Sequence, residues 1–113
     1  MQVTFLLIEL MPLAGKRQEI IELLQFSADR LSTKPGCLGS GVYEACNAER
    51  TIFYLERWRS EEELNRHIQS NLYLAVLNVL DLAAQAPDIS FNVIAETKSM
   101  ELIRALRSPG LTA

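Results

Sequence analysis

Long apolar runs, clustered charge of one sign and the familiar catalytic signatures are what this sequence has least of. Nothing in it approaches the roughly 18 to 20 consecutive apolar residues that a membrane-spanning helix requires. The apolar amino-terminal stretch MQVTFLLIELMPLAG lacks a basic leader and is interrupted by Glu9, so a buried strand is expected there rather than a secretion signal. A cytoplasmic protein with no membrane partner is the resulting expectation. Eleven Lys and Arg face fourteen Asp and Glu, for a net charge of -3, with the two signs interspersed. Phosphate backbones need a clustered basic face, and the nearest thing to one, Arg57 and Arg59, is flanked by acids, so no nucleic-acid partner is expected.

The single histidine, His67, cannot by itself build the usual zinc site. The only tight group of carboxylates, Glu61 to Glu63, reads as the first turn of a helix, where acids complement the helix dipole. Glycine-rich phosphate loops, HExxH, CxxC and serine elbows are all missing. No metal and no cofactor are therefore expected. The two cysteines, Cys37 and Cys46, fall at opposite ends of one predicted strand, roughly 30 Å apart at about 3.3 Å per residue. That is beyond the reach of a disulfide, so both thiols are expected to be reduced.

What is present is a chain of 113 residues with 49% apolar side chains, enough for one domain with a core. Val3 to Met11 is apolar at both parities and suits a strand buried on both faces. After Pro12 and Gly15, apolar residues recur at helical spacing from Lys16 to Leu31, with Ile20, Leu24 and Leu31 on one stripe. Cys37 to Cys46 and Thr51 to Trp58 are strand-like runs joined by the polar link Asn47 to Arg50, which predicts an antiparallel hairpin. Gly39 and Gly41 share a face of the first run, marking either a bulge or room for a ligand. Ser60-Glu61-Glu62-Glu63 has the form of a capping box. A helix starting there is expected to break near Ser70-Asn71 and resume from Leu72 to about Gln85, before Pro87. A last strand over Ile89 to Glu96 and a short terminal helix carrying Met100, Ile103 and Leu106 follow, with a frayed tail from Ser108. The order β-α-β-β-α-β is that of an α+β, ferredoxin-like fold.

In such a fold helices cover one side of the sheet, and the other side normally shows strict polar and apolar alternation. Here alternation fails, with Val42 beside Tyr43 and Tyr54 between Phe53 and Leu55. So large an apolar face calls for cover, and a homodimer with paired sheets is the simplest source of it.

The remaining chemistry lies on the third strand and the helix after it. Tyr54, Glu56 and Trp58 are two apart and share a face. An acid between two aromatics on a buried face must find a partner or remain neutral, so Glu56 is either a structural acceptor or an acid-base group. His67 is the side chain suited to moving protons near neutral pH, or else a packing residue at the border of its helix. Tyr43, Tyr54, Trp58 and Tyr73 could wall a pocket for a flat aromatic molecule or simply fill the core.

Pro35-Gly36-Cys37-Leu38, then Tyr43, then the run Phe53-Tyr54-Leu55-Glu56-Arg57-Trp58-Arg59-Ser60-Glu61-Glu62-Glu63-Leu64, then His67, Ser70 and Tyr73, together resemble the antibiotic biosynthesis monooxygenase superfamily. The resemblance spans roughly residues 3 to 96. It implies a dimeric α+β barrel over residues 1 to 96, with a helical extension and tail over 97 to 113 and a substrate cavity between sheet and helices. It also implies oxidation of a quinol or polycyclic phenol by molecular oxygen without metal or flavin. In that chemistry His67 or Glu56 is the catalytic base, and Trp58, Tyr54, Tyr73 and Tyr43 bind the substrate. A non-catalytic ligand-binding or stress-response barrel is the alternative. The heme-degrading branch of the superfamily uses an asparagine, a tryptophan and a histidine at places that hold Glu9, His67 and Leu77 here, which leaves heme without an axial ligand.

Overall fold

The computed structural model describes residues 2–108. Four antiparallel strands, β1 (Thr4–Leu10), β2 (Cys37–Glu44), β3 (Ile52–Trp58) and β4 (Asp88–Val93), form one sheet in the order β2-β3-β1-β4. The helices are α1 (Arg17–Leu31), α2 (Glu61–Ile68), α3 (Leu74–Leu80) and α4 (Met100–Arg107), with a single 3-10 turn at Asn71–Tyr73 between α2 and α3. This is the ferredoxin-like α+β topology, with the first three helices on one side of the sheet.

Because strand side chains alternate, β1 and β3 each present one set inward. Leu6, Ile8 and Leu10 face the helices in register with Glu56, Tyr54 and Ile52. The α1 stripe of Ile20, Leu24, Ala28 and Leu31 closes over them, and Leu64, Tyr73, Val76 and Val79 complete the core. At this core a Leu→Ala change would leave a cavity costing about 2–5 kcal/mol. The outward set on β1 and β3, Phe5, Leu7, Phe53 and Leu55, is half-buried in one copy of the chain, and Tyr43 of β2 stands exposed among them. Within one copy of the chain β1 is therefore buried on one face, not on both as its composition suggests.

Several boundaries differ from the sequence pattern. The helix expected to reach Gln85 stops at Leu80 because residues 82–84 hydrogen-bond elsewhere: Leu13 N–H donates to the Leu82 carbonyl at 2.8 Å and Ala84 N–H to the Met11 carbonyl at 2.7 Å. Leu74 and Leu77 of α3 remain exposed, so that helix is buried on one side only. The strand β4 ends at Val93 rather than Glu96, and β2 ends at Glu44, just short of Cys46. Both cysteines are free thiols. The capping box forms in half. Ser60 Oγ accepts from Glu63 N–H at 3.2 Å, but the Glu63 carboxylate, instead of returning to the Ser60 backbone, takes a two-point contact from Arg59 at 2.9 Å. The glycine pair has two explanations of its own. The β2-β3 register shifts at Cys37/Gly39, which is a bulge, and the Tyr43 ring lies so close to Gly41 that a Cβ there would meet its hydroxyl at 2.6 Å. Beyond Ser108, the expected frayed tail lies outside the described residues.

Candidate active site

The inward register of β3 carries Tyr54, Glu56 and Trp58 in a line, and α2 lays His67 across its end. Glu56 is fully buried, and its two carboxylate oxygens accept from three sides. Trp58 Nε1–H donates to Oε1 at 3.0 Å, the Tyr54 hydroxyl donates to Oε2 at 2.6 Å, and His67 Nε2 lies 3.1 Å from the same Oε2. The short Tyr54 contact has the length of a charge-assisted O–H···O bond. A fourth member extends the chain: Ser27 of α1, also buried, sits 2.8 Å from the Tyr54 hydroxyl. In the sequence the only signal of Ser27 is that of a small polar residue inside the α1 apolar stripe.

His67 is held by its ring as well as by Glu56. Trp58 stacks on it with centroids 5.1 Å apart, and Tyr73 meets it edge-on at 5.3 Å. With Nε2 directed at a carboxylate, the proton is fixed on that nitrogen, which leaves Nδ1 as the free lone pair. Among the described residues Nδ1 makes no hydrogen bond, and it is not sealed from solvent. The imidazole borders a cavity of about 270 Å³ that Trp58 and Pro35 also line. A wider groove of about 700 Å³ runs between α1 and α3, but it holds no buried ionisable group.

Five of the six residues singled out in the sequence, Tyr54, Glu56, Trp58, His67 and Tyr73, thus form one connected cluster. Tyr43 does not join it. Its partner across β3 is Phe53, so it lies on the opposite face of the sheet and is 56% exposed. Among the described residues, no group of three His, Cys, Asp or Glu side chains is placed to hold a metal ion. No described helix is long and apolar enough to cross a membrane.

The match to known sequences is consistent with this arrangement. The sequence model of the antibiotic biosynthesis monooxygenase family matches residues 4–78, from β1 into α3, and so takes in the whole cluster. The chain belongs to the antibiotic biosynthesis monooxygenase family. Solved structures repeat the fold. A conserved protein of Methanosarcina mazei Go1 superposes with a TM-score of 0.74 at 21% identity, over 83% of this chain and 94% of its own. A Deinococcus radiodurans protein provisionally named an antibiotic biosynthesis monooxygenase gives 0.74 at 18% identity, over 85% and 96%. A similarly named Caulobacter crescentus CB15 protein gives 0.72 at 21%, over 84% and 92%. None of the curated proteins compared with the chain matches it.

In this member of the antibiotic biosynthesis monooxygenase family, burial keeps the phenols of the cluster neutral. Desolvation, followed by the nearby Glu56 charge, pushes Tyr73 up from 10.0 to about 12, and the same causes in the same order push Tyr54 higher still. Both shifts are upward, so their contribution to stability is complete below pH 10 and is lost as the pH rises through the folded-state values. Urea midpoints are therefore expected to fall between pH 10 and 12, and the Tyr73→Phe variant to fall less steeply over that interval.

Proposed function

We propose that the chain is a cofactor-independent monooxygenase that oxidises a small phenol or quinol with molecular oxygen, working as a homodimer. The observation that carries this reading is the Glu56-His67 pair, in which one imidazole nitrogen is bound to a buried carboxylate, the other makes no hydrogen bond among the described residues, and the residue borders a cavity. That arrangement suits a general base. Nδ1 takes the phenolic proton, and the Glu56 carboxylate stabilises the imidazolium that results. The phenolate, richer in electrons than the phenol, is the reductant for oxygen. Over the whole reaction a ring C–H becomes a carbonyl. One atom of O2 enters the product and the other leaves as water, and the substrate supplies all four electrons. Trp58 lines the cavity and limits water around the reacting ring, while Tyr73, edge-on to His67 but outside the cavity lining, and Tyr54, donating to Glu56 and linked to Ser27, act as positioning residues.

Family membership and the provisional names of two structural neighbours support a monooxygenase-type or small-ligand-binding role. Oxygen consumption decides between them. With a panel of quinols and anthrones, purified protein is expected to take up oxygen faster than the spontaneous reaction. The His67→Ala variant should lower that rate by about 10²-fold or more, the usual contribution of a positioned base, while circular dichroism stays unchanged. No uptake above the spontaneous rate with any substrate, alongside measurable binding, would overturn catalysis in favour of a binding protein.

A further inference from the structure

The cavity beside His67 has a charge that the chain as a whole does not. Three cations border or approach it. Arg59 is spent on Glu63, which it grips through two hydrogen bonds, and these bonds are the main reason the Glu63 carboxyl lies below its ordinary range. Lys34 and Arg66 also line the cavity, and neither is in an ion pair among the described residues. Glu63 lines the cavity too, but its charge is taken up mainly by Arg59, so a protein of net charge -3 presents a local excess of positive charge here, and such local reversals draw anionic ligands.

The placement is built into the backbone. Lys34 closes the end of α1, its N–H donating to the Leu31 carbonyl, and the chain then turns through Pro35 and Gly36. Gly36 has φ +87°, a left-handed conformation that glycine adopts without strain, and the Glu63 carboxylate lies in the space a Cβ there would fill. The end of the Glu63 side chain on α2 thus lies against the α1-β2 loop, and Arg66, the residue before His67, lines the same cavity as Lys34. Pro35 and the small exposed part of Trp58, whose ring stacks on His67, also line the space, and at about 270 Å³ it sits near the lower end of small-molecule pockets, roughly 300 Å³.

We infer that this cavity takes an aromatic carboxylate of one or two rings, its anionic group between Lys34 and Arg66 and its ring against Trp58. The inference rests on the proposed function for the location of the site, and it narrows the small phenol or quinol of that reading to one that also carries a carboxylate.

Binding tests it without any turnover. Calorimetric titration of the full chain with 2-naphthoate and with uncharged 2-naphthol is expected to show naphthoate bound about tenfold more tightly, the scale of two partly screened charge contacts. That preference should shrink between about 0.15 M and 1 M salt, and should disappear in the K34A/R66A variant, whose substituted side chains are both solvent-exposed. The indole N–H resonance of Trp58, the single tryptophan, should shift on naphthoate addition. Equal affinity for the two compounds, a preference that survives in K34A/R66A, an unmoved indole resonance, or no binding of either compound would each overturn the inference. Naphthoate binding with the expected preference but no oxygen uptake from any hydroxylated analogue would leave this inference standing and remove the monooxygenase reading instead.

Discussion

Glu56→Ala is expected to lower the unfolding free energy by about 3–5 kcal/mol, the cost of removing one partner from a buried polar cluster that contains a charge. The reason is the number of groups that converge on one carboxylate. Glu56 is fully buried, and its removal leaves the Trp58 indole N–H and His67 Nε2 without the carboxylate that accepts from them. Only the Tyr54 hydroxyl keeps a second partner, in Ser27. Glu56→Gln separates shape from charge. It preserves the volume, and its amide oxygen can still accept one bond, but its NH2 faces other donors, so a loss of about 1–3 kcal/mol is expected. Urea denaturation at neutral pH measures both. An alanine variant with the wild-type midpoint would show that the cluster does not support the fold. The glutamine variant is the better probe of chemistry, since it should retain the fold and lose oxygen uptake along with His67→Ala.

The second large effect concerns the face of the sheet that the helices leave open. Leu55 sits at its centre, paired with Leu7 of β1 on one side and Gly41 of β2 on the other, with Phe5, Phe53 and Tyr43 around it. If this face joins two copies in the proposed homodimer, Leu55→Arg places two buried, unpaired cations close to the two-fold axis. Interfaces lose 2–5 kcal/mol or more on such changes. The wild-type protein is expected to sediment as twice 12.7 kDa at micromolar concentration, and Leu55→Arg as the single chain. Gln25→Arg, an exposed change on α1, serves as the control and should leave the assembly intact. A monomeric wild type would refute the dimer.

How much of this could be read from the residues depended on how local each feature is. The line Tyr54, Glu56, Trp58 needs only the period of two in a strand, and it appears in the structure as the spacing predicts. The meeting of His67 with Glu56 needs the crossing of α2 over the end of β3, which no local pattern encodes, although the Ser60 cap does fix where α2 begins. Tyr43 fell outside the cluster because its face depends on the β2-β3 register. That register is set by the length of the hairpin and the bulge at Cys37/Gly39, and an offset of one residue would have turned it inward. The helix predicted to Gln85 was shortened by the backbone of residues 11–13, seventy positions away in sequence. Ser27 carries little signal in the sequence because a serine in a helix is ordinarily a surface residue, and only the position of the Tyr54 hydroxyl gives it a task. The doubly apolar composition of β1 points to cover on both faces, whereas one copy of the chain supplies it on one.

The helix α4 raises a different matter. None of its residues is buried, and Met100, Leu102, Ile103 and Leu106 are 41–66% exposed. The chain has a radius of gyration of 17.0 Å, against about 13 Å for a compact domain of this size. An eight-residue segment in water does not hold helical structure unaided, because nucleation costs more than so few hydrogen bonds return. The helicity of residues 100–107 is thus conditional on a surface for its apolar stripe. Amide exchange in that segment becomes a gauge of contact: rapid at all eight amides when the helix stands alone, and slowed only when something lies against it.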